Sequence, residues 1–336
     1  VSALPMHHTL DRSRTCNRWN RELPPVLTVA SGDTVTMELR DSSDGQVHPA
    51  MGVEDYMAID RTRVHALTGP VAIDGALPGD GLEVEVLHIR HEGWAWTSVV
   101  PGMGALGDEY EAPYLHIWKL EEMQTRSIPG TTLDLHPFCG IMGVQRSETG
   151  EFRTREPGSF GGNMDVRHLG VGARLFLPVL IPGAGLCAGD AHAAQGDGEV
   201  SINGMEAPMT VTFRLSLHRG KSPGAPYAVS PGCLVPARYG TKPFHVFIES
   251  HRDTREAARA AIRRAVAYVV GRLGIDRELA LILCSVVLDL KISQMVNAPV
   301  TTVSAYLPEA IRRRRRRAAF GSRAGPCARG SRPSQG

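Results

Sequence analysis

The first 245 residues are cut into short segments that alternate polar and apolar, each launched by a tight turn. Ser31-Gly32-Asp33 precedes Thr34-Val35-Thr36-Met37-Glu38-Leu39, and Pro78-Gly79-Asp80 precedes Gly81-Leu82-Glu83-Val84-Glu85-Val86. A third run, 210–217, reads Thr-Val-Thr-Phe-Arg-Leu-Ser-Leu and follows Asn203-Gly204, a pair that favours a hairpin because both residues tolerate positive φ. A period of two places every second side chain on one face, so each run predicts a half-buried strand. Most of the 36 Gly and 23 Pro lie in this same stretch and punctuate it. The prediction is a mainly β chain with a sandwich or barrel-like body. The shared turn-Gly-Asp-strand theme is a weak internal repeat.

The pattern changes near residue 250. Asp253-Thr254 can cap a helix carrying Ile262, Val266, Val269, Val270 and Leu273 at helical spacing, with Gly274 to end it. Asp276 can cap a second helix, apolar nearly all round, to about Leu290; residues 301–308 return to strand character and stop at Pro308. The expected organisation is a β-rich body over 1–250, a smaller α/β portion over 251–311 packed on it, and a disordered tail over 312–336. That tail has six consecutive Arg and no periodicity, and cannot bury enough apolar surface to order itself.

The tail also explains the net charge of +2. It holds nine of the 37 Lys and Arg and no acid, so the remaining 28 face 35 Asp and Glu, and the body carries −7. Nucleic-acid binding needs a basic face on the fold, which this distribution does not offer. The six cysteines are scattered without a C-x-x-C pair, several in apolar surroundings, which points to reduced, buried thiols. No apolar stretch approaches the ~18 residues that span a membrane, and VSALPMHHTL lacks the character of a signal peptide. The expectation is a cytoplasmic protein.

Chemistry concentrates in Gly189-Asp190-Ala191-His192-Ala193-Ala194-Gln195-Gly196-Asp197-Gly198-Glu199. Asp190 and His192, two apart, share a face in extended chain, and carboxylate oxygen with imidazole nitrogen suits a divalent metal. So many acids beside an apolar run repel one another unless a cation or donors sit among them; a polar turn between strands is the plainer reading. Gly161-Gly162-Asn163-Met164-Asp165 offers a second polar pair, or an Asx-turn. His65 with Asp74 nearby, and His136 in His-Pro-Phe-Cys, are further candidates that read equally well as ordinary structural residues, and Trp94 and Trp96 read as core. There is no Walker-type G-x-x-x-x-G-K-S/T loop and no H-E-x-x-H.

Six blocks together resemble the acetamidase/formamidase family: PPVLTVASGDTV (24–35), HALTGPVAIDGALPGD (65–80), HPFCGIMGV (136–144), GGNMD (161–165), LPVLIPGAGLCAGDAHAAQGDGEV (177–200) and SVVLDLKISQMVNAP (285–299). The resemblance implies a mostly β fold with a smaller α/β portion and self-association into a homo-oligomer. It implies hydrolysis of a short-chain amide such as formamide or acetamide to carboxylate and ammonia, with a divalent metal, zinc before calcium. On that reading Asp190 and His192 are ligands, joined by His65 and by Asn163 or Asp165, with Asp74 a further ligand or orienting group. Glu199 is the general base, and His136 and Gln195 contact the substrate. Two departures stand out: the Arg-rich tail, and Asp74 where the family pattern favours Glu. Rival readings are a cyclic imide hydrolase on the same scaffold, a non-catalytic β protein with a cation-stabilised turn, and a cysteine-nucleophile amidase using Cys139 or Cys187.

Overall fold

The computed structural model describes residues 4–104, 107–108, 111–128, 133–199, 201–231, 243–275, 280 and 288–309. The three alternating runs become neighbours in one nine-stranded sheet. Strand Met209–His218 lies between Thr34–Leu39 and Gly81–His91, antiparallel to both. Along Thr34–Leu39, Val35, Met37 and Leu39 are fully buried while Thr34, Thr36 and Glu38 face outward, as a period of two requires. Each such side chain contributes roughly 1.5–3 kcal/mol by leaving water. On the outer face Thr36 and Thr212 share a hydrogen bond of 2.8 Å, and Arg214 pairs with Glu85 at 2.6 Å.

A second, six-stranded sheet has the order Gly161–Asn163, Phe138–Gly143, Leu186–His192, Leu67–Ile73 and Thr15–Cys16, with Leu27–Val29 pairing Leu67–Ile73 as well. Its apolar residues, among them Leu67, Ile141 and Leu186, join Val35, Val84 and Phe213 of the large sheet in a single core. The two sheets therefore pack face to face, and neither closes, so the body is a sandwich rather than a barrel. Phe138–Gly143 and Leu186–His192 are buried along their whole length. Asp190 and His192, on the second of these, are thereby held away from solvent.

Asp253 caps the helix Thr254–Leu273 by accepting from the Arg255 and Glu256 amides, and Gly274 ends it in the left-handed conformation. Ala261, Ala265, Val266 and Val269 seat the helix on Phe247, Ala305 and Leu307. These last belong to strands Phe244–His251 and Thr301–Pro308, which continue the nine-stranded sheet to its edge strand Asp289–Gln294.

Two local readings are corrected. Asn203-Gly204 forms no hairpin: the Asn203 side chain is committed to Ser98, accepting from its amide and donating to its hydroxyl, and strand 209–218 finds its partners far away in sequence. The second helix does not reach Leu290, because Asp289–Gln294 is a strand pairing Thr301–Pro308; most of the preceding segment, and the tail 312–336, lie outside the described residues.

Candidate active site

Neighbouring backbones position the acids before any side chain does. His192 pairs with Phe138 on one side, and Glu206 bridges it from the other while exchanging two backbone hydrogen bonds of 2.9 Å with Trp96. Gly198 is tied to strand Asp289–Gln294 through the Ser293 carbonyl, which brings Glu199 in from a third direction. Asp165, Asp190 and Glu199 all have left-handed backbones, with φ of 50°, 51° and 52°. That conformation is unusual for residues other than Gly, costs of order 1 kcal/mol or more, and turns these side chains inward against their local preference. Gly140 leaves the room they need. A Cβ there would lie 2.5 Å from Asp165 Oδ1 and 3.1 Å from Asp190 Oδ2.

The acids converge on His192. Its Nε2 lies 3.0 Å from Glu206 Oε1 and 3.5 Å from Asp190 Oδ1. Ligand atoms around a tetrahedral ion at ~2.0–2.1 Å stand roughly 3.4 Å apart, so this spacing fits a common cation. Asp190, His192 and Glu206 form one such group, and Asp165, His192 and Glu199 a second that shares the imidazole. His65 approaches from the start of strand Leu67–Ile73, with Nε2 4.0 Å from Asp190 Oδ2 and Nδ1 on the Thr154 hydroxyl. Asn163 satisfies both ends of its amide when its nitrogen faces Asp190 Oδ2 and Asp165 Oδ2, each at 3.1 Å, and its oxygen accepts from Asn297 Nδ2 at 2.9 Å. Asn297 also donates to Asp165 Oδ2 at 2.7 Å.

The protonation of His192 follows from Gln195. The Gln195 nitrogen donates to the carbonyls of Asp165 and Ser293, which turns its oxygen toward His192 Nδ1 at 2.7 Å. Nδ1 is therefore the N–H of the neutral ring, and Nε2 presents a lone pair to two carboxylates. No hydrogen bond relieves it: His192 Nε2, Glu199 Oε2 and Glu206 Oε2 are buried without a partner among the described residues. Facing lone pairs repel unless a proton or a cation lies between them; a proton on Nε2 serves the metal-free site, and a divalent cation would take its place. The residues present thus fit a divalent metal. Gln195→Leu is expected to free the ring tautomer and weaken cation affinity ~10–100-fold, the usual cost of losing such an orienting group, which cation titration of the purified variant would measure.

Without a cation Asp165, Glu199 and Glu206 are biased toward holding protons. Burial, then Asp190 beside it, pushes Asp165 up to about 8. Burial lifts Glu206 to about 7, and burial with Asp165 raises Glu199 well above the usual carboxylate range. Asp190 moves the other way: burial opposes ionisation, but His65 and His192 outweigh it and lower the group. His192 is pulled down by burial and lifted further by Glu206 and Asp190, ending well above its ordinary value.

Asp190, Glu199, Glu206, His65 and Asn163 line a cavity of about 350 Å³, with Asp165 and His192 buried beside it. Tyr56 and Trp96, rings 5.4 Å apart, form an apolar wall with Ile59 and Val100. Of the residues expected from sequence, Asp190, His192, His65, Asn163, Asp165 and Glu199 meet here. Asp74 does not: it is exposed at the far end of the strand that begins beside His65. His136 is exposed on a separate surface hollow with Arg167 and Val171, and makes no contact with the cavity. Gln195 sits behind His192 rather than on the cavity wall. Trp96, read as core, lines the cavity. Cysteine chemistry is disfavoured, since burial drives Cys139 up to about 12 and a thiolate is not accessible there.

Glu206, Asn297 and Thr154 were missed. A lone acid between Met205 and Ala207, in an otherwise apolar approach to a strand, was the signal available for Glu206.

The Acetamidase/Formamidase family matches the chain over residues 5–151 and 148–314. An acetamidase of Mycolicibacterium smegmatis is 29% identical over 250 residues, covering 56% of this chain and 62% of that protein. The crystal structure of an acetamidase from Bacillus halodurans superposes with a TM-score of 0.82 at 30% identity, over 89% of this chain and 97% of the other. An acetamidase from Yersinia enterocolitica gives 0.82 at 25% identity, over 92% and 93%. With the family matched along nearly the whole described chain and this fold beneath it, the protein belongs to the acetamidase/formamidase family of amidohydrolases.

Proposed function

We propose that this enzyme hydrolyses a small linear amide to carboxylate and ammonia with the help of a divalent cation, zinc by the chemistry of its donors. The observation that carries the metal is the His192 lone pair, turned by Gln195 toward Asp190 and Glu206. Asp190, His192 and Glu206 would hold the ion, with His65 beside Asp190 and Asn163 steadying Asp190 and Asp165. A divalent cation so bound supplies Lewis acidity, which weakens amide resonance and acidifies water. Its charge also draws the neighbouring acids back toward ionisation. Glu199, free at Oε2, takes the proton from the attacking water and returns it to the departing nitrogen. Trp96 and Tyr56 limit bulk water at the reacting carbonyl.

Assembly into a homo-oligomer belongs to the same reading. The exposed Leu290 and Ile292 on the edge strand, with Met295 just past its end, supply apolar surface for it. A reducing, cytoplasmic setting agrees with the free thiols of Cys16, Cys139 and Cys187.

The test is ammonia release from formamide, acetamide and propionamide, with a cyclic imide for comparison, before and after chelation and with zinc restored. The expected result is release from linear amides that falls at least about 10²-fold on chelation and returns with the ion. Full activity in the chelated enzyme would remove the metal from the mechanism, and turnover of the imide alone would reassign the substrate.

A further inference from the structure

Formamide has three heavy atoms and displaces on the order of two waters, each with a share of roughly 30 Å³. A cavity of about 350 Å³ is several times larger than such a substrate needs. The unused part of the wall is cationic. Arg18, Arg61, Arg153 and Arg155 all line it, and none forms an ion pair with a carboxylate among the described residues. Elsewhere on the body arginines are routinely paired, as in Arg63–Asp44, Arg214–Glu85 and Arg264–Glu249.

The cavity arginines that are hydrogen-bonded are instead held by neutral groups. Arg18 donates to the carbonyls of Asn17 and Thr62, Arg61 to the Tyr56 carbonyl and hydroxyl, and Arg155 to the Val296 carbonyl. Each guanidinium has five N–H groups, so these bonds leave donors over. Among the described residues the Arg153 side chain makes no hydrogen bond, and strand pairing sets Arg153 directly opposite Arg18. Like charges opposed across two strands are destabilising, and among the described residues no carboxylate pairs closely with either, Asp60 feeling Arg18 only at longer range. Among the described residues none of the buried acids Asp165, Asp190, Glu199 and Glu206 forms an ion pair with these guanidiniums. The guanidiniums at the mouth remain as a surplus of positive charge next to an apolar wall.

We propose that the cavity is built for an amide that carries its own carboxylate, a half-amide of a short dicarboxylic acid, whose methylenes lie along Tyr56 and Trp96 and whose carboxylate is received by Arg18 and Arg153. Guanidinium and carboxylate match in shape and charge, and the partly exposed position lets the free acid leave after reaction. This inference rests on the amidase reading and names the substrate class of the same site.

The test compares kcat/KM for succinamate and glutaramate with that for the neutral amides butyramide and valeramide. The expected result is an advantage of about tenfold or more for the anionic amides, the scale of a hydrogen bond to a charged group. That advantage is expected to shrink as salt rises to about 0.5 M, where charges at an open mouth are screened. In the Arg18→Gln/Arg153→Gln double variant the ratio of anionic to neutral kcat/KM should drop toward one. Equal or slower turnover of the anionic amides by the unaltered enzyme overturns the inference while leaving the amidase intact, as does an advantage that survives in the folded double variant. The salt series decides the matter if that variant does not fold. No ammonia from either class would overturn the amidase reading itself.

Discussion

Glu199→Gln is expected to lower amide turnover by ~10²–10⁴ while the enzyme keeps its bound cation, the loss typical of removing one acid–base group. The substitution preserves shape and removes only the ability to accept a proton. Glu199 is 6% exposed, borders the cavity and has an oxygen with no partner, so a neutral amide fits the same space. The variant also separates the two cation arrangements that share His192. If Asp190, His192 and Glu206 hold the ion, metal content measured on the purified variant stays near that of the unaltered enzyme. If Asp165, His192 and Glu199 hold it, metal content and activity fall together and Glu199 is a ligand instead. Full activity in the variant would leave it neither role.

Removing the cation is expected to reverse how stability depends on pH. In the metal-free protein Asp165 and Glu206 sit at about 8 and about 7, above their values of roughly 4 in an unfolded chain. The folded form then keeps protons that the unfolded form has already released. Stability is therefore greatest near pH 4–5 from these groups and falls as pH rises toward 8. Each displaced unit is worth ~1.4 kcal/mol and each kcal/mol moves Tm by a few degrees, so the fall should exceed ~5 °C. Adding zinc at pH 8 should recover most of it, because the ionised acids then have a charge to meet. Thermal melts at pH 5, 6.5 and 8, with and without the ion, would show this. A metal-free Tm that rises over this range would mean the acids are already ionised and offset by other groups.

The strands at 34–39, 81–91 and 209–218 were readable because burying one face of a sheet imposes a period of two on the sequence that forms it. The helix from Asp253 to Gly274 was readable for a similar local reason, since both its caps are written in single residues. Asn203-Gly204 misled, because a turn propensity is weak beside the Asn203 bonds to Ser98 that tertiary packing provides. The strand at 289–294 was missed although Asp289-Leu290-Lys291-Ile292-Ser293 alternates polar and apolar, because the apolar run before it was extended through Leu290; the partner at 301–308 is what ends that reading.

The chemical residues divide along the same line. Asp190 and His192 were legible because alternation on one strand puts them together, and Glu199 because it lies in the same acid-rich segment. Glu206 was not, since its place beside His192 comes from a backbone bridge to Trp96, a residue 110 positions earlier. Gln195 was visible, but its role was not. A side chain three residues beyond His192 could have faced the substrate, and only the carbonyls of Asp165 and Ser293 turn its oxygen back onto the imidazole. Asp74 fell outside the site because its strand carries its two ends far apart, whereas His136 is bonded beside His192, at the Ala193 carbonyl, but is exposed on the surface hollow. Sequence by itself determined the strand pattern, the family and the store of acids, all encoded in neighbouring residues. Which acids meet, which imidazole nitrogen is bare and where the cavity turns cationic were decided by contacts between distant segments. Burial and charge there act through space and leave no mark on local sequence.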